Sequence, residues 1–72
     1  MYYYQRLRDL REDRDLKQVD VSKVLGMKQP QYNRYETGVR QLPLHHLITL
    51  CKFYNVSADY ILGLSDTYRE LD

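Results

Sequence analysis

Apolar residues recur along this chain at intervals of three and four, and nowhere do they alternate over a strand-length run. The pattern predicts five helices and no strand. The first runs from about Tyr3 to Arg14, with Leu7 and Leu10 on one face and Arg11 one turn beyond Leu7 on the same side. The second runs from about Lys17 to Leu25, with Val21, Val24 and Leu25 inward. Gly26 ends it, in the left-handed conformation that glycine adopts cheaply. The third runs from about Gln29 to Thr37 and stops at Gly38. Its Tyr32, Tyr35 and Glu36 face the body, and Gln29, Asn33 and Arg34 form a polar outer face. An extended piece, Val39 to Leu42, leads to Pro43, which suits the first turn of a helix. The fourth helix runs to about Tyr54, with Leu44, Leu47, Ile48, Leu50, Cys51 and Tyr54 at helical spacing. Asn55 and Val56 turn the chain, and Ser57 caps a short fifth helix, Ala58 to Leu62.

Residues 16–38, LKQVDVSKVLGMKQPQYNRYETG, carry most of the functional information. Packing two short helices at about 90–120° requires close backbone approach. Ser22 is small enough to allow it, and Gly26 supplies the turn. The second helix then displays amide and guanidinium groups outward. Two helices so joined, with Gln18, Ser22, Gly26, Tyr32 and Gly38 in register, make a helix-turn-helix of the kind that reads DNA. The bland alternative, an ordinary helical hairpin, would explain Gly26 alone.

The whole chain has a net charge of +1, which at first argues against a nucleic-acid partner. The distribution changes that picture. Residues 1–40 hold nine Lys/Arg and six Asp/Glu, whereas residues 41–72 hold two and four. A modest basic face can steer toward phosphate without a basic whole. A chain of 72 residues is one small domain of marginal stability, so pairing of subunits is an early expectation. The single cysteine, Cys51, permits no internal disulfide and fits a reducing, cytoplasmic location. No apolar run approaches the roughly 20 residues that span a bilayer, and the N-terminus has no signal-peptide core.

The segments RLRDLREDRDLKQ, VSKVLGMKQPQYNRYETGVR and LPLHHLITLCKFYNVSADYILG, with their mutual spacing, resemble the Cro/repressor-type helix-turn-helix family, also called xenobiotic-response-element or lambda-repressor-like. The resemblance covers residues 6–64. It implies an all-α, compact five-helix DNA-binding domain over residues 1–64, followed by a tail, 65–72, in which Tyr68 and Leu71 could dock. The third helix of the family enters the major groove. Carried over by position, Gln29, Pro30 and Arg34 fall where the family makes base contacts, with Asn33 a further candidate. Gln and Asn pair with adenine and Arg with guanine. Pro30 departs from the pattern, offering only a surface for a thymine methyl or a stiffer helix start. Lys28 departs too, since lysine cannot cap a helix; Gln31 is expected to reach back instead. Lys17, Gln18, Lys28, Gln31, Thr37, Arg40 and Gln41 are the phosphate candidates, contacts that set register without a sequence code.

Arg11 and Glu36 lie on faces that otherwise look buried, and they match a family pair joining the first helix to the third. They are expected to form a structural salt bridge, so that Glu36→Ala lowers stability and weakens DNA binding without changing base preference. His45 and His46 point about 100° apart on a helix, too far to chelate one metal well. Cys51 reads as a buried thiol, and Tyr2, Tyr3 and Tyr4 as a frayed end or packing on the first helix. No nucleophile, phosphate loop or zinc spacing is present in the sequence, so neither an enzyme nor a cofactor is expected.

The expected function is a small sequence-specific transcriptional regulator, a repressor, on double-stranded DNA. Two copies on a pseudo-palindrome supply the specificity that one helix lacks, so a homodimer is expected through Tyr60, Leu62 and Leu64, unless Leu62 is core. The rival is an antitoxin-like module that binds a partner protein and represses its own operon. An adaptor that has lost DNA reading is disfavoured by the polar face of Gln29, Asn33 and Arg34.

Overall fold

A computed structural model of the chain describes residues 2–65; the expected tail beyond Ser65, with Tyr68 and Leu71, lies outside the described residues. Five helices form and, among the described residues, no strand: α1 (Tyr3–Asp13), α2 (Gln18–Val24), α3 (Gln29–Glu36), α4 (Leu44–Tyr54) and α5 (Ala58–Ile61). Each expected helix is present, and the ends draw in by a residue because the end residues act as caps. Arg14, Leu25, Thr37 and Leu62 are C-caps, and Lys17 is an N-cap. Pro43 likewise sits just outside α4, as its N-cap.

All five helices stop the same way. A residue of positive φ closes each one: Asn55 as the C-cap of α4, and Asp15, Gly26, Gly38 and Gly63 just after the C-caps of the other four. In four of them the next N–H then bonds back five residues, Leu16 to Arg11 (3.1 Å), Met27 to Ser22 (2.9 Å), Val56 to Cys51 (3.0 Å) and Leu64 to Asp59 (2.9 Å). These bonds satisfy carbonyls that a helix end leaves open. At the starts, Asp20 Oδ2 accepts from the Lys17 N–H (2.8 Å) and the Ser57 hydroxyl accepts from the Tyr60 N–H (3.3 Å). The start of α3 has no side-chain cap, so Gln31 does not reach back. Proline in the first turn lowers the need, because it removes one of the N–H groups to be satisfied.

The core draws Leu7 and Leu10 from α1, Val21 and Leu25 from α2 and its cap, Tyr32 and Tyr35 from α3, and Leu47, Leu50, Cys51 and Tyr54 from α4. Val56 and Ile61 close it from the α5 end, both fully buried. Three residues expected inward are not. Val24 is 39 % exposed, Leu44 69 % and Ile48 49 %. The inward stripe of α4 is centred between Leu47 and Leu50, so Leu44 and Ile48 fall on its flank. Val24 sits at the rim of a seven-residue helix whose last core contact is made by Leu25.

Candidate nucleic-acid interface

The pairing of α2 with α3 is set by Ser22, which is 1 % exposed and donates its hydroxyl to Val19 O (2.7 Å), satisfying itself within its own helix. Gly26 then reverses the chain at φ +69°. Tyr32, Tyr35 and Glu36 anchor α3 inward. Pro30, Gln31 and Arg34 are exposed, and Gln29 and Asn33 are half-buried against α2. One continuous polar face results.

Behind it lies a chain of polar contacts. The Arg11 guanidinium grips Glu36 with Nη2–Oε1 at 2.8 Å, Nε–Oε2 at 3.0 Å and Nε–Oε1 at 3.2 Å, and also donates Nη1 to Leu16 O at 2.9 Å. Glu36 Oε1 accepts from Gln18 Nε2 (3.2 Å). Gln18 Oε1 in turn accepts from Gln29 Nε2 (2.6 Å) and Asn33 Nδ2 (3.1 Å). Burial alone would raise the Glu36 carboxyl pKa, but the contact with Arg11 first, then the neighbouring Tyr32 hydroxyl and Gln18, overcome it and hold the group below its ordinary range. The same contact pushes the Arg11 guanidinium up. Burial, and after it the neighbouring Glu36 carboxylate, push the Tyr32 phenol up as well.

Gln18 was expected to hold a phosphate; its Oε1 and one Nε2 hydrogen are engaged in this chain of contacts, so a phosphate would have to take the second Nε2 hydrogen or the backbone N–H. Glu36 thereby reaches the outer face through Gln18, so an unchanged base preference in Glu36→Ala no longer follows. The other expected phosphate residues, Lys17, Lys28, Gln31, Thr37, Arg40 and Gln41, are all exposed. Thr37 turns its hydroxyl back onto Asn33 O (2.9 Å). Lys28, Arg34 and Arg40 line one shallow depression with Pro30, Gln31 and Tyr35, three cations with no carboxylate among them.

Two cations do structural work that sequence reasoning missed. Arg6 is 6 % exposed, lies 4.1 Å over the Tyr60 ring and donates to Ser65 O at 3.3 Å. Arg14 donates to Leu10 O (3.2 Å) and Tyr54 O (3.1 Å). Both lie four residues from Leu10 along the inward stripe of α1, the signal that could have found them. The charge balance of the first 40 residues therefore overstates the cations open to a ligand. The Tyr3 hydroxyl accepts from the Leu42 N–H (3.1 Å), tying α1 to the loop before α4. His45 is exposed and His46 half-buried, their rings 4.0 Å apart, and no group of three metal-binding side chains gathers among the described residues. Cys51 is buried, which raises its thiol pKa. No helix among the described residues is long and apolar enough to cross a membrane.

Residues 7–61 match a helix-turn-helix family model, three-quarters of the chain, from within α1 to the end of α5. The chain belongs to the Cro/repressor-type helix-turn-helix family. Two curated relatives agree. The chain is 41 % identical over 64 residues to an uncharacterised HTH-type transcriptional regulator, YobD, of Bacillus subtilis, covering 89 % of this chain and 57 % of that protein. It is 36 % identical over 62 residues to the cryptic phage CTXphi transcriptional repressor RstR of Vibrio cholerae, covering 86 % and 56 %. The chain thus spans just over half the length of these relatives.

Proposed function

We propose that this helix-turn-helix domain binds double-stranded DNA sequence-specifically and acts as a transcriptional repressor, with α3 in the major groove of a pseudo-palindromic operator. One observation carries the proposal: the outward amides of Gln29 and Asn33 are braced from behind by Gln18, Glu36 and Arg11. A solvated face with no ligand has no need of such bracing. Gln29 and Asn33 read base edges, Arg34 reads guanine, and Pro30 meets a thymine methyl. Lys17, Gln18, Lys28, Gln31, Thr37, Arg40 and Gln41 hold phosphates. The names of the two relatives, regulator and repressor, support the assignment.

The domain acts as a homodimer on DNA, since one α3 reads only a few base pairs. Leu62 and Leu64, 40 % and 75 % exposed, support an interface at the α5 end. Tyr60 is half-buried under Arg6 and contributes only its rim. Fluorescence anisotropy on duplex DNA from upstream of the gene, at two salt concentrations with a scrambled competitor, tests the function. Binding that survives the competitor and fails in Arg34→Ala is expected. Binding that the competitor abolishes and salt collapses would reduce the interaction to phosphate contacts and refute sequence-specific reading.

A further inference from the structure

We propose that Tyr2 and Tyr4 are a further contact with DNA, a stacked pair that meets the sugar–phosphate backbone through uncharged phenol hydroxyls. One flank of α3 then holds its strand by charge and the other by neutral donors. The inference rests on the DNA-binding reading above and adds to it a surface outside the helix-turn-helix.

A helix with its side chains is about 10–12 Å across and the major groove about 12 Å wide, so a helix lying in it has a backbone strand on each flank. α3 has a depression on each flank. Gln31 and Arg34 border one, where Lys28, Arg34 and Arg40 gather with no carboxylate. Asn33 and Thr37 border the other, and its far wall is α1 from Tyr4 to Glu12. Among the residues lining this second depression the charges cancel. Arg8 is paired with Glu12 and Arg11 with Glu36, and Asp9 adds a negative charge. A phosphate there meets little net attraction, so the strand on this flank is held by uncharged hydrogen-bond donors.

The tyrosines supply them. Gly38, with φ +81° and no side chain, lets the Tyr4 ring lie against the turn that ends α3. A Cβ there would stand 2.8 Å from Tyr4 Cε1 and 2.9 Å from Cζ, the carbon that bears the hydroxyl. The Tyr4 phenol is thus brought to Gly38, at the edge of the outer face of α3. Two neighbours fix the ring. Tyr3, whose hydroxyl accepts from the Leu42 N–H at 3.1 Å, packs edge to face with it, 5.8 Å between centroids at 81°. Tyr2 stacks on it, 5.4 Å between centroids at 5°. Tyr2 is 67 % exposed, a ring that the fold orders without burying. An apolar body with a polar tip suits a deoxyribose–phosphate strand: the ring lies along the sugar and the O–H donates to the phosphate.

The test removes the hydroxyls and keeps the rings. Binding-site selection from randomised duplexes with the whole chain supplies a preferred site, and a scrambled duplex serves as the comparison. Fluorescence anisotropy across a salt series then gives the affinities of the wild type, Tyr2→Phe, Tyr4→Phe and the double variant. The double variant should bind both duplexes about tenfold more weakly, the loss that follows removal of a hydrogen bond to a charged group. The slope of log affinity against log salt should not change, because a phenol displaces no counterion. Lys28→Ala, on the other flank, should instead lower that slope by about one. A double variant with wild-type affinity for both duplexes overturns the contact, as does a loss confined to the preferred site or a slope that falls with the affinity. Should the double variant not fold by circular dichroism, Tyr2→Phe, at the exposed ring, decides: a loss of about threefold is expected, and wild-type affinity overturns the inference. A wild type that binds no duplex would instead refute the DNA-binding reading itself, and the contact with it.

Discussion

Two ion pairs made by α1, one within it and one to α3, have short contacts and opposite surroundings, and they separate burial from mere proximity. Arg8 Nε lies 2.6 Å from Glu12 Oε1, with side chains 66 % and 51 % exposed. Arg11 Nη2 lies 2.8 Å from Glu36 Oε1, with side chains 15 % and 2 % exposed. Arg11→Met removes the contacts to Glu36 and leaves a buried carboxylate held by Gln18 alone of these partners. Breaking a buried pair from one side costs about 3–5 kcal/mol. Arg11 keeps some contact with water, so the low end applies, about 3 kcal/mol. For a domain of this size that is a fall in Tm of about 12–24 °C. It is a large share of a total stability on the order of 4–11 kcal/mol. Thermal and urea melts followed by circular dichroism at pH 7 measure it, with Arg8→Met as the control that should not move. Arg11→Met combined with Glu36→Met should recover more than half of the lost Tm, because no uncompensated charge remains. An Arg11→Met protein melting within about two degrees of the Arg8→Met control, far inside the predicted fall, would refute the reasoning.

The two glycines that bracket α3 should respond unequally. A Cβ at Gly26 would meet nothing within 4 Å, so Gly26→Ala costs about 1 kcal/mol from its φ of +69° alone. At Gly38, with φ +81°, the Cβ would stand 2.8 Å from the Tyr4 ring, and Gly38→Ala should cost about twice as much by forcing that ring away; equal melting temperatures for the two variants would contradict this. Asp15 holds a left-handed φ of 55° where glycine suits better, so Asp15→Gly should raise stability by about 0.5 kcal/mol in urea melts. Acid should destabilise the fold: the Glu36 carboxyl is held below its ordinary 4.5, so its contribution is complete above that pH and is lost as pH falls through the folded-state value. A melting series from pH 7 to 3 should show this loss in the wild type and a much weaker one in Arg11→Met.

The number of helices, their order and the stops at Gly26 and Gly38 were legible in the sequence, because a 3.6-residue period and a glycine at a helix end are local signals; the left-handed turn at Asp15, a residue with a side chain, was not. The inward face of α3 was legible for the same reason. The width of each buried stripe was not. Leu44 and Ile48 sit at helical spacing with the α4 core, yet their burial depends on whether a neighbour covers that flank, and α5, four residues long, is a small cover. Arg6 and Arg14 read as surface charge until Tyr60 and Tyr54 are placed beside them. Likewise the outer positions of α3 could be assigned from spacing, but the joining of Gln29 and Asn33 through Gln18 depends on how α2 crosses α3, across 11 and 15 residues of sequence.

The central claim is that α3 meets DNA. Nitrogen-15 correlation spectra of the domain, recorded as a duplex from the binding-site selection is added, test it residue by residue. The largest shifts should fall on the Gln29, Asn33 and Arg34 side chains and the amides of residues 28–37 other than Pro30, which has no N–H, with smaller ones at Lys17, Gln18 and Arg40. Shifts concentrated on Leu44, Ile48, Leu62 and Leu64, with the α3 signals unmoved, would contradict the account.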